Sequence, residues 1–223
     1  MEITRTANAG VLLKLDGVSV LLDGVCRELA PYPATPPYLR QRLTQSPPDL
    51  TAFTHDHVDH FDPEFAAQYC NRTLRPILGP ESLPVSALTT GQVRVGPVTV
   101  TPIPSRHIGK AGQETEHVSF LIEGSCRILF TGDASPLNWD VPGGAAMPKA
   151  DVLIANYAYA TSAASWQRVI SCGTKKVILL HLPEESKDEF GLWTAVRQTT
   201  AAQPAGFVRI PELGQTVCVP ESF

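Results

Sequence analysis

The segment Thr54-His55-Asp56-His57-Val58-Asp59-His60 places three of the chain's six histidines and two aspartates within seven residues. By composition alone a His-x-His-x-x-His spacing arises in such a chain roughly a few times in a thousand, so chance is a poor explanation. Residues 50–54, immediately before it, read as a short buried strand that delivers the chain into His55. The fold must therefore end a strand abruptly and present polar side chains at the sheet's end, where sites are commonly built. Two apart on an extended chain, His55 and His57 point the same way and can share one metal. Asp59 and His60 fall on the turn beyond and can address a second.

The rest of the chain supplies more strands of the same kind. Residues 11–15 and 18–23 are apolar, β-branched runs joined by Asp16-Gly17, the dipeptide a tight type I′ hairpin prefers. A proline-rich stretch, 31–37, leads to a short helix around 38–43, and Asp62-Pro63 reads as an N-cap and first helical position for a helix to about Tyr69. Hairpins are expected at 93–95 with 98–103, and at 118–123 with 127–130. Further strands are read at 152–155, 176–180, 207–210 and 215–219, with helices at 162–170 after a Thr161 cap and at 188–199. Runs of strands interrupted by helices in both halves give an α+β chain, read as one domain over residues 1–223.

Composition excludes several classes. A net charge of -4 offers no uniform basic field, so no nucleic-acid partner is expected. The first residues, MEITRTANAG, lack a basic segment followed by an apolar stretch, and no window reaches the length of a membrane span. A cytoplasmic location without membrane association is expected. Cys26, Cys70, Cys126, Cys172 and Cys218 lie far apart and form no CxxC pair, which suggests neither a disulfide framework nor a zinc-thiolate knuckle.

His55-x-His57-x-Asp59-His60 resembles the signature motif of the metallo-β-lactamase superfamily, and the superfamily's other landmarks follow in order over nearly the whole chain. The resemblance implies a four-layer αββα sandwich and a site for two divalent metal ions at one edge between the sheets. It assigns His107 as the third histidine of the first metal, Asp133 in Thr131-Gly132-Asp133 as a bridging carboxylate, and His181 as the last histidine of the second. Asp23, at the end of an early strand, matches an aspartate that supports the site through hydrogen bonds. Asp56 occupies a variable position, with a role beside a histidine as open as a direct one. His117, ten residues after His107, competes for the third place; His107 is preferred because it lies closer to the preceding strand's end.

Electrostatics favours the carboxylates. Two divalent cations about 3.5 to 4 Å apart repel by about 17 to 19 kcal/mol at an effective dielectric near 20, so neutral imidazoles alone could not hold them. The mixture of imidazole and carboxylate suits zinc, with manganese or iron as alternatives. The implied chemistry is hydrolysis: metal-bound hydroxide attacks a small ester, lactone or phosphoester, with Asp59 orienting or shuttling the proton. Arg106 and Lys110 flank His107 and are candidates to bind an anionic group on a small-molecule substrate. Asn156, Tyr157 and Tyr159 are as suited to core packing as to lining a pocket. The competing functions are a metal-dependent redox enzyme of the same fold and a metal-binding module without turnover.

Overall fold

The computed structural model describes residues 1–109, 114–137, 139 and 147–220. One sheet is built from β1 (Glu2–Arg5), β2 (Val11–Leu15), β3 (Val18–Leu22), β4 (Leu50–Ala52), β5 (Ile77–Leu78), β6 (Leu88–Thr89) and β14 (Thr216–Cys218), in the order β14-β1-β2-β3-β4-β5-β6. The other holds β7 (Val93–Val95), β8 (Val98–Pro104), β9 (Val118–Glu123), β10 (Arg127–Phe130), β11 (Val152–Asn156), β12 (Lys176–Leu180) and β13 (Val208–Arg209), in the order β13-β12-β11-β10-β9-β8-β7. In each sheet one half is antiparallel and the other parallel: β14 to β3 and β7 to β10 alternate direction, whereas β3 to β6 and β10 to β13 run together.

The period-2 pattern assigns the faces. Val20 and Leu22 join Val11, Leu13, Val100, Phe120, Ile128 and Ile154 in the layer between the sheets, while Leu21 faces the opposite way. Leu21, Phe53 and Ile77 pack beneath α1 (Pro37–Gln45) and α2 (Pro63–Thr73) through Leu43, Phe65 and Tyr69. On the far side Leu153, Val177 and Leu179 pack beneath α3 (Ala163–Ser171) and α4 (Leu192–Thr200) through Trp166, Val169 and Val196. Full burial of such side chains contributes about 1.5 to 3 kcal/mol each, so three apolar layers hold four layers of structure together. The result is the expected αββα sandwich.

Local chemistry explains most boundaries. The Asp16-Gly17 turn has positive φ at both residues, 51° and 80°, as a type I′ hairpin requires. Asp62 caps α2 by accepting from the Phe65 amide at 2.9 Å. That helix runs past Tyr69 to Thr73 and stops where Leu74 turns left-handed. Two helix starts differ from expectation. Ser162, not Thr161, caps α3, because Thr161 closes a 3-10 turn over Tyr157–Ala160. The helix read from 188 begins at Leu192: the Asp188 carboxylate accepts from the Leu192 and Trp193 amides and so lies ahead of the helix rather than within it. The interior strands β1 and β5 and the edge strand β6, each two to four residues long, have no counterpart in the sequence reading.

Candidate metal centre

The ends of several strands converge at one end of the sandwich. β3 runs into Asp23, β4 into Thr54 and His55, β8 into Ser105 and His107, β10 into Asp133, β11 ends on Asn156, and β12 runs into His181. His117 enters from the start of β9. Six of the seven residues proposed as ligands from sequence are buried, and His57 is half-buried.

Two clusters of ligand atoms form. His55, His57 and His107 make one, and Asp59, His60 and His181 the other, each with its donor atoms within 4.8 Å of one another. The imidazoles are oriented from behind. Thr54 gives its hydroxyl proton to Asp23 Oδ2 at 2.6 Å, so its oxygen accepts from His55 Nδ1 at 2.9 Å and leaves His55 Nε2 facing the cluster. His60 Nδ1 donates to Asp23 at 2.9 Å, and His107 Nδ1 to the Ile108 carbonyl at 2.6 Å, freeing Nε2 in both. His57 is engaged the other way round: its Nε2 lies 3.3 Å from the Thr115 hydroxyl, leaving Nδ1. Asp23, His55 and His60 are also close enough to form a ligand triad. Asp23 is the support there, since it accepts the Thr54 amide at 2.7 Å as well as the Thr54 hydroxyl and the His60 ring N–H.

Asp133 joins the two clusters. Its Oδ2 lies 3.4 Å from His60 Nε2, 3.4 Å from His181 Nε2 and 3.6 Å from His107 Nε2. Asp59 Oδ2 stands 3.2 Å from His181 Nε2 and 3.8 Å from His60 Nε2. Charge-assisted hydrogen bonds close to about 2.7 to 2.9 Å. Ligands sharing a tetrahedral ion at about 2.0 to 2.2 Å are instead about 3.3 to 3.6 Å apart. The observed spacings agree better with the second figure. Buried Nε2 of His55, His60, His107 and His181 and Oδ1 of Asp133 have no hydrogen-bond partner, an expensive arrangement unless something electropositive sits among them. The residues therefore fit a pair of divalent cations.

Charge is distributed unevenly between the clusters. Burial holds His55 well below the usual histidine range, helped by neighbouring imidazoles, and burial lowers His107 too. In the second cluster burial would lower His60 and His181, but the Asp133 carboxylate, with Asp23 beside His60 and Asp59 beside His181, outweighs it. His60 moves well above its ordinary value and His181 up to about 9. Burial opposes ionisation of Asp133 and Asp59 as well, yet these histidines hold both carboxyls below their ordinary range.

His117 is in the site without being free to ligate. The Asp133 amide donates to its Nε2 at 3.0 Å, so the proton is on Nδ1 and goes to Ser105 Oγ at 2.8 Å. Ser105 then donates to Ser119 Oγ at 2.8 Å, and Ser119 to the Thr131 carbonyl at 3.0 Å. This belt closes around the Thr131-Gly132-Asp133 turn. Asn156 clamps the same turn from the other side, donating to the carbonyls of Gly132 at 2.8 Å and Ala134 at 3.2 Å. Gly132 is required there: its φ is +51°, and a Cβ would sit 2.6 Å from Thr54 Cγ2.

Other expectations resolve differently. Asp56 is exposed and makes no hydrogen bond to a histidine among the described residues, because alternation along the strand exit turns it away from His55 and His57. Arg106 is half-exposed, its side chain has no ion pair among the described residues, and it does not line the cavity that Tyr32 and Tyr157 share; Lys110 lies outside the described residues. Tyr159 is fully buried in the core, whereas Tyr157 lines the cavity beside His181. Tyr32, which the sequence did not single out, packs edge-on against His181 with ring centroids 4.4 Å apart.

Residues 19–182 match the beta-lactamase superfamily domain. Among solved structures the chain is similar to a possible metal-dependent hydrolase from Veillonella parvula, at 15% identity and a TM-score of 0.68, covering 98% of this chain and 99% of that one. It is similar to the metallo-beta-lactamase fold protein YhfI from Bacillus subtilis, at 17% identity and TM-score 0.63, covering 97% and 98%. CmlA, a diiron beta-hydroxylase from Streptomyces venezuelae, shares 16% identity at TM-score 0.64, covering 98% of this chain and 54% of that one. No curated protein matches significantly. Such identities establish a shared fold. With a family match over most of its length and a strand framework that gathers His55, His57, Asp59, His60, His107, Asp133 and His181 at one end of an αββα sandwich, the chain belongs to the beta-lactamase superfamily.

Proposed function

We propose that this chain is a metal-dependent hydrolase that holds two divalent ions, zinc first among them, and cleaves a small ester, lactone or phosphoester. One observation carries the reading: Asp133 Oδ2 stands within 3.6 Å of imidazole nitrogens from both histidine clusters, whose buried Nε2 atoms otherwise have no partner. His55, His57 and His107 would hold one ion, Asp59, His60 and His181 the other, and Asp133 both. Ions bound there supply Lewis acidity and lower the pKa of nearby water toward about 7.

The chain's own residues do the rest. Asp133 offsets the repulsion between the cations, and its turn is fixed by His117 and Asn156 so that the carboxylate does not have to reorganise. Asp59, buried beside His181, is placed to accept a proton from water and return it to a leaving group. Asp23 and Thr54 hold His55 and His60 in the tautomers that face the ions.

Purified protein analysed for metals and assayed with a panel of esters, lactones and phosphodiesters, before and after chelation, tests the proposal. The expected result is about two ions per chain and chelator-sensitive turnover restored by zinc or manganese. Full metal content with no turnover on any of the panel, or iron with dioxygen consumption in place of hydrolysis, would overturn it.

A further inference from the structure

A cavity of about 950 Å³ opens beside the second cluster, at the upper end of the range for small-molecule sites. Its lining includes Tyr32 and Tyr157, whose ring centroids lie 4.4 and 5.9 Å from that of His181, so the cavity comes within one aromatic ring of the centre. Phe190 stands on its lining 85% exposed, a large apolar surface left in water. Charge on the lining is one-sided. Glu28 and Glu189 have no ion-pair partner among the described residues, and Asp188 is spent on the Leu192 and Trp193 amides. Among the described residues the one cation on the lining, Lys187, pairs with Glu184 at 2.9 Å.

We propose that this cavity selects substrates whose non-reacting arm is a flat apolar group, uncharged or cationic, and discriminates against an arm that carries negative charge. The inference rests on the hydrolase reading of the adjacent centre and narrows it. Aromatic faces offer the arm stacking and, for a cation, attraction to the ring quadrupole; the carboxylates add attraction for the same sign and repulsion for the other. Because the carboxylates are exposed, the discrimination is modest and weakens with salt. Anionic recognition through Arg106 is correspondingly disfavoured, since that residue does not line the cavity.

Three 4-nitrophenyl phenylacetates test it, alike in leaving group and reacting carbonyl but carrying a para trimethylammonium, tert-butyl or sulfonate group on the acyl ring. For zinc-loaded protein at low ionic strength, kcat/KM is expected to fall in that order, by about 3-fold and then about 10-fold. The spread should contract in Glu28→Gln with Glu189→Gln, and Phe190→Ala should raise KM for the tert-butyl ester about 5-fold. Glu123→Gln, on β9 at the opposite end of the strand from His117, removes one charge without touching the cavity and should leave the ranking intact. A sulfonate ester cleaved as well as the others, or a ranking that Glu123→Gln shifts as much as the cavity variants do, would overturn the inference and leave the hydrolase reading standing. If none of the esters is cleaved, the corresponding N-methylamides are titrated calorimetrically. The same order of affinity would support the cavity's preference and equal affinities would overturn it, while the hydrolase reading stands or falls on its own panel of esters, lactones and phosphodiesters.

Discussion

The two histidine clusters lie side by side yet differ in what they hold before any metal arrives. His55 and His107 are kept neutral by burial, and their lone pairs are available at neutral pH. In the second cluster the carboxylates of Asp133, Asp59 and Asp23 outweigh burial and favour the protonated forms of His60 and His181 in the metal-free chain. The first cluster is thus preformed for a cation, whereas the second must exchange protons for one. The difference teaches that the carboxylates needed to hold two ions together also stabilise the protonated histidines that compete with the second ion.

Asp133→Asn is expected to break the comparison most severely. The amide keeps the shape of the turn but cannot offset the repulsion between two divalent ions, so one ion per chain should remain and hydrolysis should fall by about two or more orders of magnitude. Elemental analysis alongside a thermal melt checks it; a folded variant with unchanged metal content would remove Asp133 from the bridging position. Next in size is His117→Phe, which deprives the Asp133 amide of its acceptor. Loss of such a supporting partner is expected to weaken metal binding about 10- to 100-fold, measured by competition with a chromophoric chelator, although His117 itself ligates nothing.

Acidity should sharpen the contrast. Below about pH 9 an ion entering the second cluster displaces a proton from His181, so its apparent affinity should drop about tenfold per displaced proton for each unit of acidification. In the first cluster His55 and His107, held below the usual histidine range by burial, should add no proton displacement of their own near neutrality. Proton release on titrating the metal-free protein in two buffers of different ionisation enthalpy measures the difference; two sites with the same pH slope would contradict it. The stability of the metal-free chain follows with the opposite sign. A histidine raised from 6.5 to about 9 contributes stability that is complete below about 6.5 and is lost as the pH climbs through about 9. Gly132→Ala acts on stability and touches both clusters through one turn. A positive φ and a Cβ pressed against Thr54 should cost about 1 to 3 kcal/mol, seen in chemical denaturation, and should disturb His55 through Thr54 as well as Asp133 directly.

The framework was legible where patterns were long. Five-residue apolar runs such as 11–15 and 176–180 became β2 and β12 with the expected bounds, whereas Ile77–Leu78 and Leu88–Thr89 owe their pairing to partners supplied by the fold. Within the site, His55, His57, Asp59 and His60 declared themselves by falling within six positions, and the resemblance supplied the rest. Nothing local marks Thr54, Asn156, Tyr32 or the role of His117, because each acts through a contact formed across long stretches of chain. His117 had the right residue type for a ligand and was distinguished from one only by the backbone amide that occupies its Nε2. Asp56 misled for the converse reason: its place beside two histidines in sequence puts it on the opposite side of the extended chain.

The belt from the Asp133 amide through His117, Ser105 and Ser119 to the Thr131 carbonyl has a consequence for how this centre can change over evolutionary time. Each member both gives and takes a hydrogen bond inside a buried ring, so removing one strands two neighbours, and a lone loss costs the desolvation of groups left unpaired. Replacing all three side chains together by apolar ones strands only two backbone groups, the Asp133 amide and the Thr131 carbonyl. The penalty of the triple replacement should therefore be smaller than the sum of the three single ones. A lineage of this fold would then be expected to keep the ring whole or lack it altogether, and intermediates with two members of three would be short-lived.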